Sequence, residues 1–91
     1  MSLTGKVAIV TGAGQTPGET VGNGKAIALL FARAGASVLC VDRDMDRAQA
    51  TVSEIIAEGG KAKGFAADVS QPDEATAIAA AAEDAFGPPD I

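Results

Sequence analysis

Apolar and polar positions follow two periods along the chain. Lys6–Thr11 (KVAIVT) and Ser37–Asp42 (SVLCVD) are short, β-branched and almost continuously apolar, and Lys61–Val69 (KAKGFAADV) is a weaker third run. Continuous apolarity of this length suits strands buried on both faces. Between these runs the period lengthens to that of a helix. Lys25–Ala34 sets Ile27, Leu30, Phe31 and Ala34 on one stripe, and Gly35 follows where a left-handed residue is needed. Asp44–Glu58 sets Met45, Ala48, Val52, Ile55 and Ile56 on one face, with Asp44 as N-cap and Gly59-Gly60 as the stop. Ser70-Gln71-Pro72-Asp73 reads as a Ser N-cap, a proline in the first turn and an acid at the third helical position. The stripe Ala75, Ile78, Ala82 and Phe86 follows, and Gly87-Pro88-Pro89 closes it. Asp90-Ile91 opens a further strand.

The resulting order, β-α-β-α-β-α with a truncated fourth strand, forces parallel pairing through right-handed crossovers. It predicts an α/β fold with a doubly wound sheet, in one unit covering residues 1–91. At 91 residues the chain is one small domain at most. An apolar fraction of 47% argues against disorder. The net charge of −5 comes with no basic cluster, which argues against a nucleic-acid or anionic-membrane partner. Histidine is absent and cysteine occurs once, so a disulfide framework, a His/Cys zinc site and a Ser-His-Asp triad are excluded within this chain. Tyrosine is absent too. The first apolar run, Val7–Val10, is too short for a signal sequence or a membrane span, and a cytoplasmic setting is expected. Cys40 lies inside an apolar run and reads as a small core hydrophobe.

The candidate chemistry lies between the first strand and the first helix. Five glycines punctuate Thr11–Lys25 (TGAGQTPGETVGNGK). Such a turn lets backbone N–H groups approach a phosphate, and the helix N-terminus adds its partial positive charge. A P-loop fails on two counts: Ala26 follows Gly24-Lys25 where a hydroxyl is needed, and Glu19 stands where the first glycine belongs. The plain G-x-G-x-x-G also fails, because its third glycine falls on Pro17.

Thr11-Gly12-Ala13-Gly14-Gln15 followed by Gly22-Asn23-Gly24 resembles the T-G-x-x-x-G-x-G turn of the short-chain dehydrogenase/reductase family, with six extra residues, Thr16–Val21. A helix beginning after Gly18 instead would carry Gly22 and Gly24 in its first turns, each costing about 1 kcal/mol against alanine. Spacing favours the same register: Asp42 lies 18 positions beyond Gly24 but 24 beyond Gly18, against about 20 between such a turn and a ribose-binding acid. The likeness continues through Leu3–Ala8, Lys25–Ala32, Gly35–Val38, Asp68-Val69-Ser70, Phe86-Gly87 and Asp90-Ile91. It looks closest to the classical branch, which includes 3-oxoacyl-carrier-protein reductases and related dehydrogenases.

The resemblance implies the N-terminal half of a Rossmann fold and an NAD(P)-dependent oxidoreductase acting on a carbonyl or alcohol. It implies a homo-oligomer when complete. Gly12 would turn the chain under the cofactor. Gln15, Gly22, Asn23 and Gly24 would line the pyrophosphate, with Gly24 also allowing close helix packing. Asp42 would accept hydrogen bonds from the adenosine ribose; otherwise it is a turn aspartate ahead of Asp44 and Asp46. Asp68 and Val69 would frame the adenine, or simply form a strand-end turn. Arg43 could meet a 2′-phosphate, or be an exposed charge.

The expected cofactor is NAD rather than NADP, because Asp42 is acidic and neither Gln15 nor Val21 is basic. The family's catalytic Ser and Tyr-x-x-x-Lys match no segment here, so the chain alone should be inactive. The alternative is a stand-alone nucleotide-binding or interaction module. An ending at Asp90-Ile91, as a strand opens, favours the enzyme fragment. Thr16–Val21 should bulge away from the phosphates, or else close as a lid with Glu19 paired to Lys25. In the family's strand order 3-2-1-4 the first strand would have an open edge at Val7–Val10, so the chain should fold poorly alone.

Overall fold

The most apolar run becomes the centre of the sheet. In the computed structural model, which describes residues 2–13, 23–69 and 71–91, strand β2 (Ser37–Asp42) lies between β1 (Val7–Thr11) and β3 (Lys61–Ala66). All pairing is parallel, with Val7 opposite Ser37 and Ser37 opposite Lys61. Helices α1 (Asn23–Arg33), α2 (Met45–Ala57) and α3 (Pro72–Phe86) follow the three strands in turn. The α/β class and the strand–helix alternation are as expected.

Alternation along β2 divides the core. Val38 and Cys40 face α1 and α2, packing with Ala8, Val10, Ala28, Val52 and Ile55. Leu39 and Val41 face α3, packing with Val7, Ala67, Ile78 and Ala82. Because helices cover both faces, all four β2 residues are fully buried, and such burial contributes about 1.5–3 kcal/mol for each large aliphatic side chain. Asp44 caps α2, its Oδ1 accepting the Asp46 N–H at 2.9 Å. Gly35 (φ 104°) and Gly59 (φ 87°) reverse the chain after α1 and α2.

Four expectations are corrected. Ile27 and Leu30 do not face the sheet: they are 42% and 57% exposed, while Ala28 is fully buried. Met45 and Ile56 are likewise exposed, leaving Ala48, Val52 and Ile55 as the inward face of α2. The α3 N-cap is Gln71, without a side-chain cap bond, and Pro72 is its first helical residue; Ser70 lies outside the described residues. Finally, the outer edge of β1 is not bare along its length. The Val7 carbonyl accepts the N–H groups of Asp90 (2.7 Å) and Ile91 (3.1 Å), and the Ile9 N–H donates to the Ile91 carbonyl at 3.0 Å. Asp90 Oδ2 accepts the Val7 N–H at 2.9 Å. Residues 90 and 91 thus run along the outer edge of β1, outside the three-stranded sheet of order β1-β2-β3.

Candidate functional site

The carboxyl ends of the three strands form one polar edge, the place where open parallel sheets bind ligands. After β1 the chain turns at Gly12, whose φ of 62° suits glycine. The first turn of α1 comes directly onto this backbone. A Cβ on Gly24 would stand 2.1 Å from the Gly12 carbonyl oxygen and 2.9 Å from that of Thr11. Only glycine permits that approach. On the Gly12 side, no described atom lies within 4 Å of where a Cβ would stand.

Ala13 is fully buried and fixed through both backbone groups. Its N–H donates to the Val41 carbonyl at 3.0 Å. Its carbonyl accepts the Thr51 hydroxyl of α2 at 2.8 Å. The edge continues through Asp42, whose carbonyl accepts the Ala67 N–H at 3.0 Å. Asp42 Oδ1 accepts the Asp44 N–H at 3.0 Å, which holds the half-buried carboxylate in a local turn. Beyond β3, Glu74 Oε2 accepts the Asp68 N–H, tying the segment after the strand to the first turn of α3.

Gly12, Gly24, Asp42 and Asp68 thus share this edge. Arg43 and Val69 lie on it exposed, Val69 at 58%. Asn23 opens α1, its side chain being outside the described residues, as are Gln15, Gly22 and the Thr16–Val21 insertion. Lys25 Nζ lies 2.7 Å from Glu54 Oε2 of α2. Cys40 is fully buried, and burial pushes its thiol up to about 11, which keeps it protonated and unreactive near neutrality. No group of three metal-ligating side chains occurs among the described residues.

Two residues on this edge escaped the sequence reading, Thr51 and Glu74. Thr51 did carry a signal. It lies three positions after Ala48 and four before Ile55, on the inward face of α2, where a hydroxyl must find an acceptor.

Residues 6–91 match the family model described as short chain dehydrogenase. The chain belongs to the short-chain dehydrogenase/reductase family. It is 46% identical over 89 residues to a short chain dehydrogenase of Pseudocercospora fijiensis, covering 98% of this chain and 27% of that protein. It is 42% identical over 91 residues to the 7α-hydroxysteroid dehydrogenase of Escherichia coli K12, covering 100% of this chain and 33% of the enzyme. The solved structure of a 7α-hydroxysteroid dehydrogenase complexed with NADH and 7-oxo glycochenodeoxycholic acid superposes with a TM-score of 0.88 at 42% identity, over 98% of this chain and 32% of that one. A metagenomic short-chain oxidoreductase in complex with NADP gives 0.85 at 38% identity, over 100% and 38%. The chain spans about a third of the length of these relatives and matches the N-terminal part of the family's Rossmann fold, the cofactor-binding part of its NAD(P)-dependent oxidoreductases. No helix among the described residues is long and apolar enough to cross a membrane.

Proposed function

We propose that this chain binds NAD, as the cofactor-binding part of an oxidoreductase that moves hydride between a nicotinamide and a carbonyl or alcohol. The observation that carries the reading is the Gly24–Gly12 contact on the same edge as Asp42. It brings the N-terminus of an 11-residue helix against a glycine turn where no described atom lies within 4 Å of a Cβ on Gly12, and such a helix end favours an anion.

The residues present fit a dinucleotide. Gly12 and Gly24, with Gln15, Gly22 and Asn23, would take the pyrophosphate. Asp42 would accept hydrogen bonds from the adenosine ribose hydroxyls. Asp68 and Val69 would flank the adenine. The bound cofactor supplies the hydride chemistry; these residues only bind and orient it. Substrate recognition and proton transfer belong to residues beyond the third of the family's length that this chain spans.

Asp42 favours NAD over NADP. A 2′-phosphate about 4 Å from its carboxylate would meet roughly 4 kcal/mol of repulsion per unit charge at an effective dielectric constant near 20. A third of that is about tenfold in affinity. Arg43 is the competing influence, since turned toward a 2′-phosphate it would reverse the preference. The test uses a chimaera in which this chain replaces the matching first third of the E. coli 7α-hydroxysteroid dehydrogenase. NADH should bind at least tenfold more tightly than NADPH. Tighter NADPH binding would overturn the assignment to Asp42 and promote Arg43, and binding of neither would overturn the reading itself.

A further inference from the structure

The glycine turn is held from β1 and α1 by glycines, but its third attachment is a side chain from a different helix. Thr51 is 1% exposed and Ala13 fully buried. The two lie 38 positions apart and are joined at 2.8 Å. On its other side the Ala13 N–H is bound to the Val41 carbonyl, immediately before Asp42. Ala13 is thereby tied to both β2 and α2 just where the chain enters the glycine-rich turn. Packing alone does not require a hydroxyl at this position, because valine has nearly the same shape. What valine cannot do is donate to a buried carbonyl.

We infer that Thr51 is a positioning residue for the phosphates of the dinucleotide, acting through the Ala13 carbonyl. The inference rests on the dinucleotide reading above. Held through its carbonyl to α2 and through its N–H to β2, Ala13 fixes the backbone next to Gly12, against which the first turn of α1 rests at Gly24. That keeps the N-terminus of α1, the end that favours an anion, seated on the polar edge. Without the hydroxyl, the buried Ala13 carbonyl loses its partner and the backbone beside Gly12 can shift to seek another.

The experiment compares Thr51→Val and Thr51→Ser with the parent in the same chimaera, measuring NADH affinity, kcat at saturating NADH and the thermal midpoint. Thr51→Val should weaken NADH binding about tenfold while kcat stays within about twofold, and Thr51→Ser should restore affinity to within about twofold of the parent. A merely structural role would lower the midpoint in both variants without separating their affinities. If the valine variant binds NADH like the parent, or the serine variant fails to recover affinity, the inference is overturned while the dinucleotide reading stands. If the parent itself does not bind NADH, both fall.

Discussion

At the amino edge of the sheet the chain reverses on glycines with left-handed backbone angles, one of which, Gly35, also abuts Thr4; at the carboxyl edge Gly12 turns in the same way, but Gly24 is required by the backbone it touches. Gly5, Gly59 and Gly87 have φ of 82°, 87° and 111°, and no described atom lies within 4 Å of where their Cβ would be. Gly24 has an ordinary helical position, yet its Cβ would overlap the Gly12 carbonyl at 2.1 Å. The polar contacts differ in the same way. Around α1 and α2 the amino edge is closed by the exposed Arg33–Glu58 fork, at 2.8 and 2.9 Å. The carboxyl edge uses the buried Thr51–Ala13 bond and the bonds on Asp42 and Asp68. Around α1 and α2, one edge closes the helix ends with an exposed ion pair, and the other anchors the turns that follow the strands.

The largest expected effect breaks that contrast directly. In Gly24→Ala the new methyl meets backbone rather than a flexible side chain, so α1 must move off the turn. NADH affinity in the chimaera should fall by at least about a hundredfold, with a clear drop in the thermal midpoint. Gly59→Ala should cost about 1–2 kcal/mol of stability through its left-handed backbone and leave NADH affinity within about twofold. If both glycines affect only stability, the carboxyl edge has no special role.

Next in size is Asp42→Asn. The amide oxygen can still accept the Asp44 N–H, so the local turn is kept and the charge alone is removed. NADH binding should weaken by roughly tenfold while NADPH binding weakens less or improves, because the repulsion on a 2′-phosphate is gone. Equal losses for both cofactors, measured by titration, would place the effect in the turn rather than in the charge.

How far these features could be read from sequence varied with what fixes them. β2 was legible to its end residues because burial on both faces leaves no polar position inside Val38–Val41. The facing of α1 was not. A stripe chosen by size points to Ile27 and Leu30, but Gly24 draws the helix close to β1, and at that distance the sheet accepts Ala28. The large residues are left outside. The glycine register was argued from the cost of glycine inside a helix and the spacing to Asp42; the described residues show its two ends meeting at Gly24 and Gly12, while Gln15, Gly22 and the insertion lie outside them. The Thr51–Ala13 bond joins residues 38 positions apart, and no local pattern encodes that pairing. Glu74 was hidden by the expected cap at Ser70. With Gln71 as the cap, Glu74 moves to the third helical position, where it reaches the Asp68 N–H.

A smaller effect is expected from the centre of the sheet, where Cys40 belongs to neither edge. Burial raises its thiol to about 11, so the folded state favours the neutral form. That contribution is fully present below the ordinary thiol range. It is lost as pH rises from about 9 through about 11, because the unfolded chain releases its proton first. The thermal midpoint should fall across that window, and Cys40→Ala, though less stable at pH 7, should show a shallower fall. Parallel slopes for the two proteins would show that Cys40 does not cause the alkaline loss.

The smallest effect should come from the Arg33–Glu58 fork, the amino-edge counterpart of the buried bonds. Hydrogen bonding and charge from Arg33 hold the Glu58 carboxyl below its usual range, and the same bond raises Arg33 further out of reach. For a lowered carboxylate, the stabilisation is present above the unfolded value near 4.3 and disappears as pH falls through the folded value. Both partners are exposed, at 58% and 44%, so water and salt screen the pair. Glu58→Gln should lower the thermal midpoint slightly at pH 7. The difference from the parent should vanish in about 1 M salt, where the Debye length is about 3 Å, and again in acid, once the pH has fallen below the lowered folded value. NADH affinity should not change, because the fork lies at the opposite edge from Gly24 and Asp42. A loss of NADH affinity that matched Thr51→Val would show that the two edges are coupled through α2, and the division of labour drawn between them would have to be abandoned.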